Sequence, residues 1–152
     1  MPVADTKKVN TDACYHYCTH LLSLNQGTLY PQFATHNAYT MALIAEIFKN
    51  QNFEFQRLHG MGFALFDEMQ RVYLPSLKAR VYAPVGDHND LLPYLVRRLL
   101  ENGANSSFVN RFLDDKEPAT KLVEDPIKKI FELKEWRNSE IKLPHEIFLN
   151  SE

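Results

Sequence analysis

Phe53-Glu54-Phe55-Gln56-Arg57-Leu58-His59-Gly60-Met61-Gly62 decides the fold. Its first six residues alternate in the manner of an extended strand. The closely spaced glycines then turn the chain into an apolar-rich segment, Phe63 to Val72, that reads as a helix. The same order of strand, turn and helix recurs on both sides. Leu29 to Ala34 reads as a short strand, and Asn37 is placed to cap a helix bearing Met41, Leu43, Ile44, Ile47 and Phe48. Ala79 to Val85 reads as a third strand, closed by Pro84 and Gly86 and followed by a helix from about Leu91 to Glu101, with Gly103 as its stop. The strands begin about every 25 residues with a helix between each pair, as parallel βα units do, because a parallel crossover takes a dozen residues or more. The expected fold class is α/β, although three such units do not close a barrel.

Outside this repeat, Asn10 or Thr11 is placed to cap a helix reaching about Leu24, with Ala13, Cys14, Tyr17, Cys18, Leu21 and Leu22 on its apolar face. Asp114 to Pro118 reads as a surface junction, and Asp125-Pro126 starts a last helix bearing Ile127, Ile130, Phe131, Leu133 and Trp136. Residues 113–152 are thus expected to trail residues 1–112 as a helical segment and link, ending in a packing strap over Leu143 to Phe148.

The 152 residues, 45% of them hydrophobic, suffice for one core. A net charge of -2 without a basic stripe argues against non-specific nucleic-acid binding. No apolar run approaches the roughly 18 to 20 residues of a spanning helix, and the first residues lack a signal peptide's apolar stretch, so a cytoplasmic location is expected. Cys14 and Cys18 alternate with His16 and His20, which suggests a metal site at first sight. At about 100° per residue, however, the cysteines and the histidines take nearly opposite helix faces, so the four cannot converge on one ion. Reduced, buried cysteines are expected instead.

Chemistry gathers on two features. On a helical wheel Leu91, Leu92, Leu95, Val96, Leu99 and Leu100 form an apolar arc, with Arg97, Arg98 and Glu101 opposite it. Adjacent guanidiniums suit a carboxylate or phosphate, since each fork makes parallel charge-assisted hydrogen bonds, and Glu101 is spaced to brace either one. The competing reading of these residues is a solvated helix face. The second feature is the set of residues at the carboxyl ends of the strands, where parallel α/β folds collect ligands: Thr35, His36 and Asn37, then Leu58 and His59, then Tyr82. No nucleophilic triad is legible.

Tyr30 to Asn37, Phe53 to Gly62, Arg80 to Gly86 and Tyr94 to Asn105 together closely resemble the proline dehydrogenase domain of the bacterial proline utilisation A flavoenzymes. The resemblance runs from about Val3 to Leu149 and covers the later part of a (βα)8 barrel of the TIM type: its last three strands, their helices and the segment beyond. It implies oxidation of L-proline to Δ1-pyrroline-5-carboxylate, with hydride transfer to FAD and electrons passed to a membrane quinone. By motif match it implies that Arg97 and Arg98 clamp the substrate carboxylate with Glu101 as their partner. Tyr82 would pack on the proline ring, Leu58 would wall the pocket, and Thr35, His36 and the adjoining Asn37 would meet the flavin. The family's earlier strands, with a lysine and an aspartate near the substrate, are absent from this chain, so it should hold part of an active site and be inactive alone. Its two open strand edges are expected to invite self-association. The alternative is a standalone α/β module that binds a small anionic metabolite through Arg97 and Arg98.

Overall fold

Three short parallel strands form the sheet, in the order β1 (Gln32–Ala34), β2 (Glu54–Leu58), β3 (Ala79–Tyr82). The computed structural model describes residues 7–103, 123, 125–135, 137, 138, 141, 142 and 146. The helices are α1 (Lys8–Ser23), α2 (Ala38–Ile47), α3 (Phe63–Glu68), α4 (His88–Gly103) and α5 (Pro126–Glu132). The chain divides into two compact units, Leu22–Val123 in one and Met1–Leu21 with Glu124–Glu152 in the other. None of these helices is long and apolar enough to cross a membrane.

Register fixes what each sheet face carries. Phe33 pairs with Phe55, Gln32 with Glu54, Gln56 with Arg80 and Leu58 with Tyr82. Alternation along each strand therefore gives one face to Phe33 and Phe55 and the other to Gln32, Glu54, Gln56, Leu58, Arg80 and Tyr82. On the apolar face Phe33, Phe55 and Phe66 are buried with Met41, Ile44 and Phe48 of the α2 region. The rings meet edge-on, Phe33 with Phe48 at 5.1 Å and Phe55 with Phe66 at 6.1 Å between centroids, the geometry that the ring quadrupole favours.

The opposite face holds a polar knot at the strand starts. Arg80 grips Glu54 with two bonds, Nε to Oε1 at 2.5 Å and Nη2 to Oε2 at 2.8 Å. Gln32 from β1 donates to Oε1 at 2.9 Å and Gln56 to the same oxygen at 3.3 Å, while the Tyr30 hydroxyl reaches Oε2 at 3.4 Å. One carboxylate, 5% exposed, thus ties all three strands. The phenylalanines and glutamate that alternate in the sequence face opposite sides of a central strand, and the acid is satisfied by its neighbours instead of by water.

The expected elements are present with altered ends. β1 is shorter because Pro31 has no N–H for the ladder, and its carbonyl instead accepts from Glu54 N at 3.1 Å. β3 stops at Tyr82, whose carbonyl accepts from His59 N at 2.8 Å, two residues before Pro84. The helix after β2 widens to a π-helix at Met69–Tyr73, closed by Leu74 N donating to Met69 O at 2.8 Å. Leu74 then leaves helical geometry, as a residue before proline tends to do. α4 begins earlier than Leu91, at His88, and continues through Gly103. α5 starts at Pro126 behind an Asp125 cap, as expected, but ends at Glu132, so Leu133 lies at its C-cap.

The amino-terminal helix corrects two expectations. It begins at Lys8, so Asn10 and Thr11 lie inside it; their N–H groups reach Lys7 O at 3.0 and 3.4 Å. Its buried residues are Asn10, His16 and Thr19, while Cys14, Tyr17, Cys18 and Leu21 are exposed. The cysteines are therefore not core residues in this chain. An apolar stripe is buried only where something covers it, and this stripe faces outward. The junction at Asp114 to Pro118, Trp136 and the strap beyond Leu143 lie outside the described residues.

Two expected outcomes follow from these contacts. Asn37 caps α2 by accepting from Thr40 N at 3.2 Å, so Asn37→Ala should lower the unfolding free energy by about 1 kcal/mol in urea titrations. Hydrogen bonding from Arg80 lowers the Glu54 carboxyl from 4.5 to about 2, against a smaller opposing effect of desolvation. Between those values the unfolded chain binds the extra proton, so the contribution is complete above about pH 4.5 and fades as the pH falls toward about 2. Urea midpoints measured across this interval should fall less steeply for Glu54→Gln than for the unaltered chain; parallel slopes would remove Glu54 from the acid response.

Candidate functional site

Level strand ends create the site. β2 and β3 run parallel with Leu58 directly opposite Tyr82, and the His59 N–H bonded to the Tyr82 carbonyl closes the ladder at that level. Leu58 is buried, and Tyr82 is 37% exposed. An apolar side chain and a partly open phenol thus stand side by side, one able to exclude water and the other to offer a ring face.

At the end of β1 the chain turns sharply into α2. Thr35 Oγ1 accepts from Asn37 N at 3.1 Å, a local turn that sets the entry of the helix. The Asn37 carboxamide oxygen caps that helix, which leaves the amide nitrogen as a donor. His36, between them, is half-buried. Its imidazole lies across the turn between β2 and α3: a Cβ built on Gly62 would meet His36 Cδ2 at 2.7 Å and Nε2 at 2.8 Å. The ring also approaches Phe66 edge-on at 6.4 Å. The closely spaced glycines form the turn expected from the sequence, and at Gly62 a histidine side chain lies against the bare α-carbon.

The same turn is braced from β2. Arg57 Nη1 donates to Met61 O at 3.3 Å, and its guanidinium lies 5.5 Å from the Phe63 ring centroid and 5.9 Å from that of Phe66. Sequence reading singled out neither Arg57 nor the Glu54 and Arg80 pair. The available signal was the polar content of a strand flanked by two others, since a central strand of a parallel sheet is ordinarily apolar on both faces.

On α4, Arg97 is exposed and Arg98 half-buried, with the Arg98 guanidinium 5.7 Å from the Tyr94 ring centroid. The Glu101 side chain lies outside the described residues. The apolar arc of this helix is open: Leu92, Leu95 and Val96 are exposed, and Leu99 and Leu100 are exposed by 66% and 68%. Register thus brings together Leu58 and Tyr82, while the turn after β1 meets the turn after β2 through His36.

The proline dehydrogenase family model matches residues 1–111, which include all three strands and α4. The chain belongs to the proline dehydrogenase family. It is 47% identical over 148 residues to the bifunctional protein PutA of Klebsiella aerogenes and equally so to that of Escherichia coli. Each alignment covers 92% of this chain and 11% of the relative. Among solved structures it is similar to proline utilization A with proline bound in remote sites, at a TM-score of 0.82 and 44% identity, covering 97% of this chain and 15% of that one. It is similar also to proline utilization A from Bdellovibrio bacteriovorus inactivated by N-propargylglycine, at 0.74 and 34%, covering 84% and 14%. The three-stranded parallel α/β arrangement of this chain matches those neighbours, and the chain spans about one ninth of the curated relatives' length.

Proposed function

We propose that this chain supplies the last three βα units of a (βα)8 barrel, with residues 1–112 in the barrel and 113–152 as a trailing helical segment, and that the complete barrel oxidises L-proline to Δ1-pyrroline-5-carboxylate. The observation that carries this reading is the level alignment of Leu58 with Tyr82 at the carboxyl ends of parallel strands, within the span matched by the family model. In barrels of this kind that end is where ligands sit. The open apolar arc of α4 and the outward stripe of α1 are surfaces of the sort that further barrel elements cover.

Within the complete barrel Arg97 and Arg98 hold the substrate carboxylate, and Glu101 keeps their forks in orientation. Tyr82 packs on the proline ring from one side, and Leu58 keeps water from it. The donor set at β1 suits a flavin: Thr35, His36 and Asn37 offer a hydroxyl, an imidazole and an amide within one turn, none of them a competing acid. FAD, when bound, supplies the hydride acceptor, and the quinone at a membrane surface is the final oxidant. This chain contributes binding, orientation and exclusion of water, and none of its residues is assigned a proton-transfer or nucleophilic role. In a cell the reading places it in the cytoplasm, with peripheral membrane contact through the whole enzyme. Without the remaining strands, the open sheet edges favour self-association.

The isolated chain should purify colourless and show no proline-dependent dye reduction; a yellow protein with turnover would contradict the reading. Replacing the matched segment of the Escherichia coli relative by this chain should preserve turnover. In that chimera Arg98→Ala should lower kcat/KM for proline on the order of 100-fold, the loss of two charge-assisted hydrogen bonds. Unchanged kinetics would remove Arg98 from the carboxylate site.

A further inference from the structure

The two glycines of the turn after β2 have different surroundings. Gly60 has φ +84° and Gly62 φ +68°, so both occupy the left-handed region that strains other residues. A Cβ at Gly60 meets nothing within 4 Å. At Gly62 it would stand 2.7 Å from His36 Cδ2 and 2.8 Å from Nε2, closer than packed atoms sit. The imidazole lies in the space that the absent side chain would fill. Phe66 bounds it on one side, edge-on at 6.4 Å and itself buried against Phe55. The turn is fixed in turn by Arg57, through Met61 O and the rings of Phe63 and Phe66.

We propose that Gly62 is a positioning residue for His36: the bare α-carbon just beyond the end of β2 seats the imidazole that follows β1, so the two strand ends share one contact. Gly60 serves the backbone of the turn alone. The contact itself is independent of the proposed function, and its consequence for the cofactor rests on that reading. If His36 meets the flavin, the residue that orients it lies on the next βα unit, 26 positions along the chain. A side chain at Gly62 then alters the flavin site without touching the flavin.

The test compares matched substitutions in the 152-residue chain. Gly60→Ala and Gly62→Ala both place a methyl at positive φ, and only the second meets His36. In Gly62→Ala the His36 Hδ2 resonance should move and lose its nuclear Overhauser contact with the residue 62 α-proton, while Gly60→Ala should retain both. Stability provides a second reading: Gly62→Ala should destabilise less in a His36→Ala background than in the unaltered chain, and Gly60→Ala should cost the same in both. Unmoved His36 resonances together with additive stabilities would overturn the proposal. The chimera separates this from the functional reading. There Gly62→Ala should weaken FAD retention as His36→Ala does, and Gly60→Ala less. Altered His36 resonances with unaltered FAD retention would support the seat and remove His36 from the cofactor site.

Discussion

The Glu54 carboxylate is the constraint on which the sheet depends. Three strands meet at it, since Gln32 reaches it from β1, Arg80 from β3, and Gln56 from within β2. A parallel strand that slips by one residue exchanges its two faces. Such a slip here would carry Arg80 away from the acid and drive Val81 toward it, leaving a buried charge uncompensated. The knot at the strand starts therefore holds the strand finishes level. Leu58 stands beside Tyr82 because Gln56 stands beside Arg80.

Much of this architecture was legible because it depends on local chemistry. Asn37 had the side chain to cap a helix, Asp125-Pro126 had the pairing that starts one, and the strand spacing admitted parallel crossovers. The shifted ends of β1, of the helix after β2 and of β3 have equally local causes, in Pro31, Pro75 and Pro84. α1 was misread for a different reason. Periodicity can identify an apolar stripe, but it cannot say whether anything lies against it, and Cys14, Tyr17 and Cys18 face outward while Asn10, His16 and Thr19 are buried.

The candidate site was less legible in spacing than in resemblance. Nothing in the periodicity of α4 distinguishes a pair of substrate arginines from a solvated face, and Arg97 is exposed along with much of the greasy arc. Tyr82 and Leu58 could be placed at strand ends, yet their adjacency needed the register. The Gly62 contact with His36 was beyond sequence reading altogether, because it joins two loops across adjacent units. The glycine pair signalled a turn; only coordinates reveal which glycine leaves room for a neighbour.

In the proposed reading the site lies at the carboxyl ends of the strands, and further barrel elements complete it. There, Tyr82 is proposed as a ring support, Leu58 as an apolar wall, Arg97 and Arg98 as the carboxylate clamp, and the turn after β1 as the face toward the cofactor. The most direct measurement is a crystal structure of the chimera with the proline-like carboxylate tetrahydro-2-furoate bound. The account predicts the ligand carboxylate between the guanidiniums of Arg97 and Arg98, with its ring against Tyr82. A ligand held elsewhere, with both guanidiniums turned to bulk solvent, would contradict it.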